Sequence, residues 1–163
     1  MRSSDRILIG IVIGIIALVL IVFAITLLRP EAEYQSEEDP EGVVHNYLLA
    51  LQNGDFDRAY QYLAHDLPGH PRSPERFEQN VDRYSYSFHE RTDNTLSVDT
   101  ADISGDLATV KVRETRFYED GLFDSSQRVG VFEVELRKEE GEWRIYEADA
   151  YFVNCWTDDD GCR

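Results

Sequence analysis

The spacing of apolar positions changes character along this 163-residue chain, and each change marks an element. From Ile7 to Leu28, ILIGIVIGIIALVLIVFAITLL is 22 residues without a charge. At about 1.5 Å per residue such a helix spans roughly the 30 Å hydrocarbon core of a bilayer, which predicts a transmembrane helix over 7–28. A secretory signal would have a shorter apolar region, about 7–15 residues, and a small-x-small cleavage site. ITLLRPEAEY has no such site, so the expectation is an uncleaved signal anchor. Residues 29–39, RPEAEYQSEED, have no apolar period and read as an acidic flexible tether.

Helical spacing resumes with Val43, Val44, Tyr47, Leu48 and Leu51, after Asp39 as N-cap and Pro40 in the first turn. Asn53-Gly54 supplies a left-handed stop. Asp55 then caps a second helix carrying Phe56, Ala59, Tyr60 and Leu63. Ser73-Pro74 opens a third short helix through SPERFEQNV. Beyond Tyr84 the period falls to two. YSYSFHE, TLSVDTADIS, LATVKVRETRFY, QRVGVFEVELRK and EWRIYEADAYF read as strands, with turns at Ser104-Gly105-Asp106 and Glu139-Glu140-Gly141. Three short helices followed by a meander of four to five strands is an α+β layout, helices packed on one face of a curved antiparallel sheet. The expected domain runs over 40–154, followed by a C-terminal tail over 155–163.

Charge sets the orientation. Arg2 and Arg6 lie on the short N-terminal side, whereas 13 of 16 basic and 31 of 32 acidic residues lie beyond residue 30, a formal charge of −18 there. The positive-inside bias places residues 1–6 in the cytoplasm and the domain outside the cell membrane. A domain so acidic repels phosphate backbones, so nucleic acid is not an expected partner.

The segments VVHNYLLALQNGDFDRAYQYLA, SPERF and VFEVELRKEEGEWRIYEAD, in this order, resemble the nuclear transport factor 2-like superfamily, nearest to its bacterial membrane-anchored and lipoprotein members of unknown function. The resemblance frames residues 40 to about 152. It implies a cone-shaped α+β domain whose pocket serves some members as an isomerase or dehydratase site, some as a binding cavity and some as core. Members with one N-terminal membrane helix also resemble the VirB8-like scaffold of type IV secretion machines. Fold alone leaves these open.

Parity carried along the strands places Glu114 with Ala108, Val110 and Val112, and Glu147 with Trp143 and Ile145. Both carboxylates are pocket candidates, unless a bulge flips the parity or both lie at a wet rim near Arg113 or Arg116. No constellation of His, Tyr or Asp accompanies them, so no catalytic residue is assigned, and a partner- or ligand-binding module is expected ahead of an enzyme. His45, His65, His70 and His89 are scattered. HDLPGH offers part of a zinc set at best, so no metal or cofactor is assigned. Cys155 and Cys162 are the only cysteines and are expected to form a disulfide in an exported compartment, stapling a surface turn around Trp156. Asp158, Asp159, Asp160 and Gly161 resemble a calcium-loop fragment without its alternating acidic spacing. Within the apolar helix, Gly10, Gly14, Ala17 and Ala24 form a small-residue seam suited to homodimerisation. The expected partners are the membrane, a second copy, and an unidentified protein or small molecule.

Overall fold

A computed structural model describes residues 3–27, 33–88, 94–119 and 125–162. His89, Leu28 of the expected membrane helix and residues 29–32 of the expected tether lie outside them. The chain forms two units, Met1–Glu33 and Tyr34–Arg163. The first consists of helix α1 (Ser3–Leu27). Its described side chains run from Gly10 to Phe23, and the large apolar ones are between 48% and 64% exposed on every side of the helix. Among the described residues no helix is long and apolar enough to cross a membrane.

The second unit is α+β. Helices α2 (Pro40–Asn53), α3 (Phe56–Gln61) and α4 (Pro74–Arg83) precede strands β1 (Asn94–Ser104), β2 (Leu107–Glu119), β3 (Ser125–Glu139) and β4 (Glu142–Ala148). The strands form one antiparallel sheet in the order β1-β2-β3-β4. Local chemistry sets the helix ends. Gly54 takes φ +69° after α2, and the Asp55 carboxylate accepts the Arg58 amide at the start of α3. Ser73 Oγ accepts the Arg76 amide at the start of α4. Asp39 occupies the N-cap of α2 in extended backbone but makes no side-chain cap bond, leaving Pro40 as the start signal.

Val43, Val44, Tyr47 and Leu48 of α2 pack toward Val110 and Val112 of β2, Val134 and Leu136 of β3, and Ile145 of β4, all at most 3% exposed. The β4 edge is covered by a parallel bridge. The Ala64 amide donates to the Ile145 carbonyl and the Ile145 amide to the Tyr62 carbonyl, each at 2.8 Å. This satisfies the backbone groups an open edge would leave to another chain.

Three expectations change. The segment YSYSFHE is not a strand where it is described, because Ser85–Ser87 form a 3₁₀ turn. Tyr86 points outward at 75% exposure and Phe88 is delivered into the core. The tether is shorter than its composition suggests, for Tyr34–Asp39 lies docked on α2 and α3. The Gln35 amide and carbonyl pair with the Asn46 side chain at 2.7 and 2.9 Å. The Arg58 guanidinium stacks 3.5 Å from the Tyr34 ring centre and pairs with Glu37 at 3.2 Å. Glu37 also accepts the Tyr62 hydroxyl at 2.7 Å. Here the acidic residues meet a partner on the folded domain, which a composition argument cannot detect.

The third change concerns the tail. Trp156 is fully buried, with its ring stacked on Phe77 at 5.4 Å and 23° and meeting Phe152 edge-on at 5.0 Å. Trp156 therefore belongs to the domain core, whereas residues 157–160 inside the disulfide loop remain exposed. A flat aromatic of this size supplies core area that the short helices lack.

Candidate functional site at the inner face of the sheet

Along β2 the residues facing the helices are Ala108, Val110, Val112 and then Glu114, which is 5% exposed. The apolar inner face thus ends in a carboxylate, and three donors meet it. Arg116, the next inward residue, reaches Glu114 Oε2 at 2.6 Å. The Tyr151 hydroxyl donates to Oε1 at 2.8 Å and the Asn94 amide to the same oxygen at 3.1 Å. Asn94 also donates to the Tyr151 hydroxyl oxygen at 2.7 Å. Tyr151 is itself held firmly. Its carbonyl accepts the Tyr47 hydroxyl at 2.5 Å, its amide donates to the Ser87 carbonyl at 2.8 Å, and its ring lies 5.5 Å from that of Phe132. Its backbone has φ +59°, an uncommon conformation for a residue with a Cβ.

The electrostatics follow from this geometry. Burial works against the Glu114 charge, but hydrogen bonds from Arg116, Tyr151 and Asn94, with the Arg116 charge, outweigh it and hold the carboxyl below the usual carboxylate range. Burial, then the bond to Glu114, pushes the Tyr151 phenol up. The hydrogen bond to Glu114 keeps Arg116 firmly charged. The result is an ionised carboxylate with its oxygens already engaged. It is suited to orienting Arg116 and unsuited to accepting a proton near neutral pH.

Glu147, the other pocket candidate, faces away. Leu136 pairs with Ile145 while Glu135 pairs with Glu147, so Tyr146 is an extra residue in β4. The bulge restores Ala148 to the buried face after Trp143 and Ile145 and leaves Glu147 exposed. Tyr146 lies half-buried against Glu135, to which its hydroxyl donates, and this bond first, then burial, pushes its phenol up to about 12. Phe132 and Trp143 fill the inner face, at 7% and 3% exposure.

Beyond Glu114 the inner face opens. Gly130 stands opposite Glu114, with open space where a side chain would project, and Arg128 stands opposite Arg116. Arg116 keeps 28% of its side chain exposed, and its Nε is buried with no hydrogen-bond partner among the described residues. Arg116 and Arg128 are thus register partners on adjacent strands at the mouth of the inner face, and Arg116 is backed by the Glu114 carboxylate.

The other sequence candidates of this unit lie on other elements. Cys155 and Cys162 form a disulfide with Cα atoms 5.1 Å apart. Gly10, Gly14 and Ala17 are exposed on α1, and the side chain of Ala24 is outside the described set. The loop HDLPGH is tied down, since Glu139 accepts both the His65 amide at 3.1 Å and Nδ1 at 3.0 Å, and Arg137 pairs with Asp66. The His70 ring is tilted against Tyr60 at 5.1 Å and stacked on His65 at 5.8 Å. Burial first, then the neighbouring His65, lowers its pKa. Among the described residues no three His, Cys, Asp or Glu side chains are grouped to hold a metal. Asn94 and Tyr151 were not singled out by sequence reasoning. They lie 57 residues apart, and no local signal joins them.

No protein-family model matches the chain and no curated protein matches it. Several solved structures do. A SEC-C motif-containing protein from Rhodopseudomonas palustris is 20% identical, over 72% of this chain and 83% of that one, with a TM-score of 0.48. An NTF2-like protein with a cystatin-like fold from Novosphingobium aromaticivorans is 14% identical, over 68% and 77%, at 0.45. A candidate dehydratase of the NTF2-like family from Streptomyces avermitilis is 14% identical, over 68% and 93%, at 0.44. Some of these neighbours are described as NTF2-like or as having a cystatin-like fold, and the likeness is one of fold.

Proposed function

We propose that this chain is a single-pass membrane protein whose external domain is a non-enzymatic binding module, receiving an acidic group of a partner at Arg116 and Arg128. The observation that carries the reading is the state of Glu114. An isomerase or dehydratase of this fold class would need a proton-accepting carboxylate facing a cavity. Glu114 is instead buried and saturated by Arg116, Tyr151 and Asn94, with its pKa lowered. Such a group positions a cation. The anchor reading is supported by the uncharged run from Ile7 to Leu28 and by the exposure of its apolar side chains around α1.

The experiment uses the full chain in native membranes. Alkaline carbonate washing should leave it in the pellet, and protease added outside should cleave the domain. After mild solubilisation, co-purified partners should be lost from Arg128→Gln. Release of the chain by carbonate overturns the anchor. Turnover of a ketosteroid or hydroxy-acid substrate that is abolished by Glu114→Gln overturns the non-enzymatic reading.

A further inference from the structure

The loop that follows the β4-edge bridge carries two of the chain's histidines, and the fold sets their rings side by side. His65 and His70 stack with centres 5.8 Å apart at 28°, and the His70 ring leans on Tyr60 of α3 at 5.1 Å. The loop is fastened at both ends. At its start the Ala64 amide is bonded to Ile145 of β4. At its end the Gly69 amide donates to the Trp156 carbonyl at 2.9 Å and the His70 amide to the Leu67 carbonyl at 3.0 Å. Loop and tail meet backbone to backbone, since a side chain at Gly69 would overlap the Cys155 carbonyl and the Gly161 Cα. Leu67, inside the loop, is buried at 7% exposure.

The two rings stand in different surroundings. His65 is exposed, and Glu139 of β3 meets both its amide and its Nδ1, so a charged His65 has a carboxylate in place. His70 is half-buried and forms no ion pair among the described residues. Glu139 and Asp66 are engaged by Arg137, and Glu139 by His65 as well. On its other side His70 shares a cleft with Arg72, Arg76 of α4 and Asp160 of the tail. With His65 charged, the cations of this cluster are His65, Arg72, Arg76 and Arg137, against Asp66, Glu139 and Asp160. A proton on His70 adds to the larger side. Burial first, then His65, disfavours the charged ring, and together they outweigh the Pro71 backbone and Glu139, which favour it.

We propose that the loop from His65 to His70 is an acid-operated latch, closed on the tail while the His70 ring is neutral and released when that ring takes a proton beside a charged His65. The direction follows from linkage. His70 titrates below its ordinary 6.5 in the closed loop, so the open loop binds the proton better, and closure weakens as pH falls from 6.5 toward the closed-state value. Burial works against the Glu139 charge, but the bonds from His65 and the Arg137 charge outweigh it and hold this carboxyl below its ordinary 4.5. Glu139 therefore stays ionised while His70 begins to titrate. Release frees the Gly69 contact and uncovers Leu67. Arg116 and Arg128 take no part in it.

The test is amide hydrogen exchange of the full chain in detergent micelles from about pH 7.5 to 4, each rate divided by the intrinsic rate at that pH, with the histidine ring signals followed by NMR. The Gly69 and His70 amides should lose about threefold or more of their protection in step with titration of the His70 ring, and regain it at neutral pH, while Val110 and Val134 in the sheet keep theirs. His70→Gln should hold protection constant as the pH falls. If that variant is open at every pH, His65→Gln decides. With the neighbouring charge gone, the His70 ring should titrate closer to 6.5 and the loss of protection should shrink. Constant protection in the parent overturns the proposal, as does a loss confined to pH below about 4.5, which assigns it to carboxylates. A loss that persists unchanged in His70→Gln, or undiminished in His65→Gln, overturns it too.

Discussion

Helices α1 and α2 use the same apolar alphabet in opposite ways. On α2, Val43, Val44 and Tyr47 are at most 1% exposed, because the apolar positions share a stripe that the sheet covers. On α1, Ile13, Leu18 and Phe23 are each more than 60% exposed, and apolar residues continue around the helix. A stripe calls for a protein core, and the apolar surface around α1 fits the surrounding apolar medium proposed for it. The difference lies in the arrangement of apolar side chains rather than in their number, so the two helices should fail independently.

The largest expected effect breaks α2 alone. Val44→Asp places an uncompensated charge where the side chain is fully buried, which costs about 3–5 kcal/mol. Denaturation of the full chain in detergent should show an unfolded or severely weakened domain, while retention in membranes stays unchanged. The reciprocal variant, Leu18→Arg, costs about 2.5–3.5 kcal/mol of insertion free energy at a helix centre. It should reduce membrane retention on carbonate washing and leave the melting temperature of the domain where it was. If either variant moved both readouts, the independence of the two helices would fail.

Smaller effects sharpen the domain side of the contrast. Removing the disulfide as Cys155→Ser with Cys162→Ser releases a loop of sequence separation 7 and should cost about 2.5 kcal/mol by loop-closure entropy. The loss is read as a lower denaturation midpoint and should be matched by reductant acting on the parent chain. Replacing Glu114 with Gln should cost about 1–3 kcal/mol near neutral pH, since charged hydrogen bonds to Arg116 are lost. The pH dependence has a definite sign. Glu114 is held below its ordinary value of 4.5, so its stabilisation is present above that pH and disappears as pH falls through the folded value. Parent and Glu114→Gln stability curves should therefore converge in acid, and parallel curves down to low pH would show that Glu114 is not the linked group.

Local chemistry was legible in the sequence, and long-range chemistry was not. Asp55 and Ser73 accept the cap bonds their spacing predicts, and Gly54, Gly105, Glu140 and Gly141 all adopt the positive φ that their turns require. Parity carried Glu114 to the inner face correctly over four positions. It failed for Glu147 because a period-2 argument assumes no inserted residue, and Tyr146 is one. The docking of Tyr34–Asp39 depends on Asn46 and Arg58, which only folding brings near. Trp156 sits among acids and glycine in TDDDG, so its neighbours in sequence advertise a surface while its neighbours in space are Phe77, Phe88 and Phe152.

The position of that tryptophan also bears on timing. Ribosomes add about 5–20 residues per second, and domains generally fold as units as the chain emerges. Here α2 must wait for the Tyr151 carbonyl, 104 positions later than the Tyr47 that bonds it, and Phe77 and Phe88 lack their stacking partner until Trp156 arrives. The helices made first stay uncovered while the strands are still being synthesised. Completion of this domain is a terminal event, and for most of its synthesis the nascent chain depends on whatever shields unfinished apolar surface.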